Sequence, residues 1–295
     1  MRNQAQESLS QMSPPKPGNC DRGKRAFGRA NLICRVALFL AGLALLAGRS
    51  AGADADAPKR LAILIGSPWE GESDIHNDLT AIYQALRQRG FAPEEILSLE
   101  GSLSRQSLLP FLQIAGRSAA GWRSGKVFLY FSGHGNFTGT TVPTAQPGLQ
   151  LTGDPKNPDT FVLWKDAIAA LSLPPGVELF LLPDCCFINL LAGRLPSDVV
   201  AISVKAPPGT DLQCHVQKND FEMNGSRVER GVISYYAGQT LPQATTFQSW
   251  VESINHLAEA DIRHNRMKRS KWLTLRIVGD PAAGIPGAAL AQAAH

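Results

Sequence analysis

Leu61–Ile65 (LAILI), Lys126–Ser132 (KVFLYFS), Val177–Leu182 (VELFLL) and Val199–Val204 (VVAISV) are nearly unbroken apolar runs of strand length. A strand with one wet face alternates apolar and polar residues. A continuous run therefore points to a strand covered on both faces, as in a parallel sheet between helical layers. Between these runs the periodicity changes. Ile75, Leu79, Ile82, Tyr83 and Leu86 recur at helical spacing, with Gly90 as a stop. A second helix is expected from about Ser104, with Leu108, Leu109 and Leu112 on one face, a third over 165–173, and two more over 232–241 and 247–264. Ile96–Leu99 and Trp272–Val278 complete the strands, and no internal repeat is visible. Strands alternating with helices predict an α/β fold with a mostly parallel central sheet and helices on both faces.

Two long segments lack either period. Asn136–Asp159, rich in Thr, Gly and Pro, reads as a surface loop or hairpin. Lys205–Arg230, which contains Pro207, Pro208, Gly209 and Gly225, reads as a long polar loop, functional or open to processing. The tail from Pro281 is rich in Ala and Gly and reads as loose.

Residues 1–53 read as a targeting leader. Arg22, Lys24, Arg25, Arg29 and Arg35 form a positive region, Val36–Ala47 an apolar one, and Ala51-Gly52-Ala53 a small-residue cleavage pattern. The apolar run is short for a membrane span, which needs roughly 20 residues. The expected product is exported, periplasmic or secreted, with a membrane role only if the leader stays as an anchor. One domain over 54–295 remains, its core about 59–280 and its tail 281–295. Eight of the 29 Lys and Arg fall in the leader; 21 basic and 23 acidic residues remain from Asp54 onward. A near-neutral body gives no reason to expect nucleic acid as a partner. The expected body holds three of the five cysteines: Cys185, Cys186 and Cys214. An odd, sparse set outside the cytosol suggests a thiol kept for reactivity; a Cys185–Cys214 or Cys186–Cys214 bridge is the plainer alternative.

The third strand runs into Ser132-Gly133-His134-Gly135 and the fourth into Asp184-Cys185-Cys186. In a parallel sheet the carboxyl ends of the strands share one rim, where ligands bind. If the two strands are neighbours, an imidazole and a thiol meet there, and the base raises the thiolate fraction of the nucleophile. Gly133 would permit a tight turn after the strand, and Gly135 a close backbone approach. The amides of Gly135 and Cys186 are candidates for an oxyanion hole. Zinc binding by His134, Cys185 and Cys186 fails because adjacent cysteines chelate one tetrahedral ion poorly.

YFSGHGN (Tyr130–Asn136) and LLPDCCF (Leu181–Phe187) resemble the histidine and cysteine motifs of the caspase/metacaspase superfamily. Leu61–Phe91, with the Asn77-Asp78 pair, is similar to that family's first strand and helix, and GVISYYAGQTL (Gly231–Leu241) to a late helix start. The similarity runs over about Lys59–Asp280. It implies a caspase–haemoglobinase-like sandwich and a thiol endopeptidase acting on peptide or protein substrates. The Asp-x-Cys pattern implies Cys186 as nucleophile, with Cys185 in the variable position and His134 as base. It also implies that Asp78 and Asp184 line the S1 pocket. Two carboxylates there favour Arg or Lys at P1.

The family usually places an aromatic or His and then Ser-Gly after its cysteine; here Phe187 is followed by Ile188-Asn189. The replacement bears on the oxyanion hole and supports a second expectation, a catalytically inactive caspase-like binding module at the cell envelope. The related legumain group, which prefers Asn, lacks the acid at the position of Asp184. No cofactor or metal site is expected. Calcium activation occurs among metacaspases, and Asp211, Asp220 and Glu222 offer ligand oxygens, but at no defining spacing. Self-cleavage is expected after Lys218, Arg227 or Arg230.

Overall fold

In the computed structural model, which describes residues 59–154, 157–223 and 225–287, the apolar runs form one central sheet. The leader lies outside the described residues, as does the end of the tail, 288–295. In chain order the sheet and its first helices are β1 (Arg60–Ser67), α1 (Asp74–Gln88), β2 (Ile96–Glu100), α2 (Arg105–Arg117) and β3 (Gly125–Thr138). Next come β4 (Gln146–Gln150), β5 (Phe161–Leu163), α3 (Trp164–Leu171), β6 (Val177–Asp184) and β7 (Val199–Val204). A hairpin of β8 (Lys218–Met223) and β9 (Ser226–Gly231) precedes α4 (Val232–Thr240), α5 (Phe247–Arg263) and β10 (Leu275–Val278).

The central order is β10-β7-β6-β3-β1-β2, parallel except for β10. Seven successive residues of β1, and all six of β7, are buried, as continuous apolar runs between two layers must be. α2 packs on α3, while α4 packs on both α1 and α5. The expectation of a mostly parallel α/β sheet holds. From β1 the chain runs to β2 on one side and then to β3 on the other, so the strand order reverses between β1 and β3. Such reversals open a crevice at the carboxyl ends of the strands.

Three local expectations change. β3 does not turn at Gly133; it continues to Thr138, exchanging its parallel neighbours for antiparallel pairing with β4 (His134 opposite Gln150). Lys205–Arg230 is not all loop, since β8 and β9 pair from Lys218–Gly231 to Met223–Ser226. Residues 281–287 are packed rather than loose: Ala283 and Ile285 are buried, and Gly284 bridges to Thr246. Their anchor is Arg89, buried at the end of α1, whose guanidinium donates to the carbonyls of Leu241, Ala244, Ile285 and Pro286. One planar five-donor group thereby satisfies four carbonyls from two segments. Among the described residues no helix is long and apolar enough to cross a membrane.

Candidate active site

Ser132 on β3 stands opposite Asp184 on β6. His134 and Cys186 each follow that paired position by two residues, so they leave neighbouring central strands at the same level. They line one small cavity of about 80 Å³ with Asp74, Asp78, Asp184 and Lys218. Gly135 lies directly on Cys186, where a Cβ would overlap the Cys186 carbonyl; only glycine allows this approach.

The imidazole is held on two sides. Trp69 stacks on His134 with ring centroids 3.6 Å apart, and Nε2 of His134 lies 3.0 Å from both carboxylate oxygens of Glu72. Contact at Nε2 leaves Nδ1 as the ring nitrogen available for a reacting partner. Glu72 also accepts from the Trp69 amide (2.8 Å) and from Lys218 Nζ (2.7 Å). Partial burial raises its carboxyl pKa, but Lys218, the Trp69 amide and His134 more than offset this and hold it below the usual range. Lys218 Nζ lies 2.8 Å from Asp74 as well.

The two carboxylates expected in S1 are buried side by side in different company. Asp78, on α1, accepts from Arg230 Nε (2.5 Å), the Gly231 amide (3.0 Å) and Ser132 Oγ (3.2 Å). Asp184 accepts from the Ser234 amide (2.8 Å) and hydroxyl (2.5 Å) through Oδ2, while its buried Oδ1 has no hydrogen-bond partner. Gly231 is a glycine of necessity, since a Cβ would strike both carboxylates. Asp78 is thus already neutralised by the chain's own Arg230. The carboxylates that line the cavity beside it are Asp184, with its unpartnered Oδ1, and Asp74, ion-paired with Lys218.

Burial pushes Asp78 up to about 7, helped by the Asp184 charge and opposed by Arg230. Burial also pushes Asp184 up to about 6, opposed by Ser234 and Arg230. One buried guanidinium matches one negative charge, so the pair titrates together and retains a proton into the neutral range. Both values lie above the unfolded value of about 3.9. The folded protein therefore binds more protons than the unfolded one across roughly pH 4–7. This stabilisation is full below that window and is lost as pH rises through 6–7. The urea midpoint is accordingly expected to fall between pH 5 and pH 7.5, and Asp184→Asn to flatten that fall; a pH response identical in the two proteins would contradict it.

The sulfur expected to be the nucleophile is not a free thiol in this structure. Cys186 is disulfide-bonded to Cys214, with Cα atoms 4.7 Å apart. Of the two pairings left open by the sequence, the structure has this one. Among the described residues the free cysteine is Cys185, fully buried, its thiol pushed well above its usual value by burial and the Asp184 charge. That makes it inert packing. The departure at Ile188-Asn189 has a structural use. Ile188 is buried, and Asn189 Nδ2 donates to the Asp211 carbonyl (2.7 Å), tying down the segment that carries Cys214.

Glu72, Asp74, Lys218 and Arg230 were missing from the expected set. The two acids carried a readable signal, because they follow the first apolar run and belong to the same rim. The two cations were hidden by reading 205–230 as loop. Of the three expected self-cleavage positions, Arg227 is exposed on the hairpin, whereas Arg230 is buried and Lys218 is ion-paired at the cavity. A larger hollow of about 800 Å³ beyond the hairpin carries Asp220, Glu222, Arg227 and Arg266 but no His or Cys. Among the described residues no three of His, Cys, Asp and Glu gather as a metal site, and Asp220 and Glu222 lie along β8. A scan against protein-family models gives no match to this chain, and a search of curated proteins gives no significant one.

Proposed function

We propose that this chain is an exported, caspase/metacaspase-like cysteine endopeptidase that cleaves after Arg or Lys, with Cys186 as nucleophile and His134 as base. The observation that carries this reading is the matched exit of His134 and Cys186 from adjacent strands into one acid-lined cavity. In the reduced protein, Cys186 attacks the scissile carbonyl to form a tetrahedral intermediate and then a thioester. The amides of Gly135 and Cys186 face the developing oxyanion, and His134 passes its proton to the leaving amine. Glu72 fixes the imidazole from behind. A cationic P1 side chain is drawn to Asp184 and Asp74, where it competes with Lys218. The exported location rests on the leader at 1–53 alone.

The test is hydrolysis of otherwise identical fluorogenic Arg, Lys, Asp and Asn peptides by the dithiol-reduced protein. Cleavage of the Arg and Lys peptides well above the Asp peptide is expected. A rate equal to that of Cys186→Ala on all four, with and without calcium, would overturn the reading. Glu72→Gln is expected to lower kcat about 10- to 100-fold, as misorienting a catalytic group does. The thermal midpoint should stay close to wild type, and an unchanged kcat would remove Glu72 from the mechanism.

A second reading, a non-catalytic caspase-like binding module at the cell envelope, is favoured by one observation. Cys186 is bridged, and the cavity is far below the roughly 300 Å³ of ordinary ligand pockets.

A further inference from the structure

The Cys186–Cys214 bridge belongs to a larger closure. The segment carrying Cys214 is fastened upstream by Asn189 Nδ2 to the Asp211 carbonyl and downstream by the Val232 amide to the Gln217 carbonyl (3.0 Å). Lys271 Nζ adds a bond to the Lys218 carbonyl (2.9 Å). Lys218 then reaches across to Glu72, the carboxylate that holds His134, and to Asp74. One stretch of five residues, 214–218, thus occupies both the sulfur of Cys186 and the partner of His134. The two cysteines of the bridge differ in access, for Cys214 is exposed whereas Cys186 is half-buried at the cavity.

We infer that the Cys186–Cys214 disulfide is a redox-sensitive lock on this site, opened by a dithiol reductant that attacks at Cys214. The inference rests on the endopeptidase reading, whose nucleophile it regulates. A thiolate of the reductant attacks the exposed Cys214 sulfur in line with the S–S bond. That bond breaks, and its electron pair leaves on Cys186, next to His134, while a mixed disulfide forms at Cys214. The second thiol of the reductant, once deprotonated, displaces Cys214 and closes the reductant's own disulfide. Two electrons and two protons pass from the dithiol to the protein. Exchange is directed by which sulfur is accessible and by how well the leaving thiolate is stabilised. Here exposure selects Cys214, and the imidazole favours release of Cys186. In an oxidising compartment the bridge keeps the site closed, and Cys185, buried beside it, plays no part.

The experiment alkylates the folded protein with iodoacetamide, with and without prior dithiothreitol, and locates adducts by peptide mapping. In untreated wild type, linked Cys186 and Cys214 peptides and no Cys186 adduct are expected; after reduction, Cys186 should be labelled stoichiometrically. Cys214→Ser should show Cys186 labelled without any reductant, and Cys185 should stay unlabelled throughout. Labelling of Cys186 in untreated wild type, or a persisting need for dithiol in Cys214→Ser, would overturn the lock. Peptide hydrolysis is read in parallel. Cys214→Ser is expected to cut without reductant. A Cys186 that becomes labelled on schedule yet cuts nothing would contradict the endopeptidase while leaving the lock in place.

Discussion

Replacing Cys186 by alanine in the reduced protein is expected to lower kcat/KM on Arg and Lys peptides about 1,000-fold or more, or about 4 kcal/mol of transition-state stabilisation. Without the sulfur there is no acyl intermediate, so only binding and the oxyanion donors at Gly135 and residue 186 would remain. His134→Ala is expected to cost about 10²- to 10⁴-fold, because an unassisted thiol is a poor nucleophile at neutral pH and the leaving amine goes unprotonated. The double variant should be little worse than either alone, since groups that act as one unit lose their effect together. Steady-state kinetics on the three proteins checks this. Losses that multiply would mean that His134 and Cys186 do not work on the same step.

Replacing Arg230 by methionine is expected to destabilise the fold by about 3–5 kcal/mol, the usual cost of leaving one member of a buried ion pair without its partner. Both side chains are nearly inaccessible, at 3% and 1%, and solvent does little to screen them. Asp78 lies beside Asp184, a second acid that accepts from Ser234 and offers no countercharge. Protonation provides a partial escape, because burial already places Asp78 at about 7. The loss should therefore be larger at pH 8 than at pH 5. Combining Arg230→Met with Asp78→Asn should recover most of it, since the neutral amide no longer needs a cation. Urea denaturation of the three proteins at both pH values reads the effect. A loss below about 1 kcal/mol at pH 8 would show that the pair is not a buried electrostatic link.

The central sheet was legible because a strand covered on both faces leaves an unmistakable mark. LAILI, VELFLL and VVAISV have no polar face to disguise them, and β1, β6 and β7 fall close to those runs. The rim residues His134 and Cys186 followed from the same logic, since a chain leaving a buried strand must emerge at the shared edge. The β8–β9 hairpin was illegible for the opposite reason. KNDFEM holds one buried position, Phe221, and SRVERG holds none before Arg230, so neither period rises above the polar background. Its contributions were hidden with it: Lys218 at Glu72 and Asp74, and Arg230 at Asp78. The start of the tail, 281–287, was misread because Ala and Gly carry little signal. What holds Ile285 and Pro286 is Arg89, nearly two hundred residues earlier in the chain. The pairing of Cys186 with Cys214 depends on how the 205–217 segment folds back, which spacing alone does not specify.

The most direct test of a Cys186–His134 hydrolase is covalent capture of its nucleophile. The dithiol-reduced protein is treated with matched peptidyl chloromethyl ketones ending in Arg or Asp, and adducts are located by mass. The expected result is a single adduct on Cys186, formed faster by the Arg reagent and suppressed in His134→Ala. Labelling of Cys186 at the same rate by both reagents, and unchanged without His134, would contradict it.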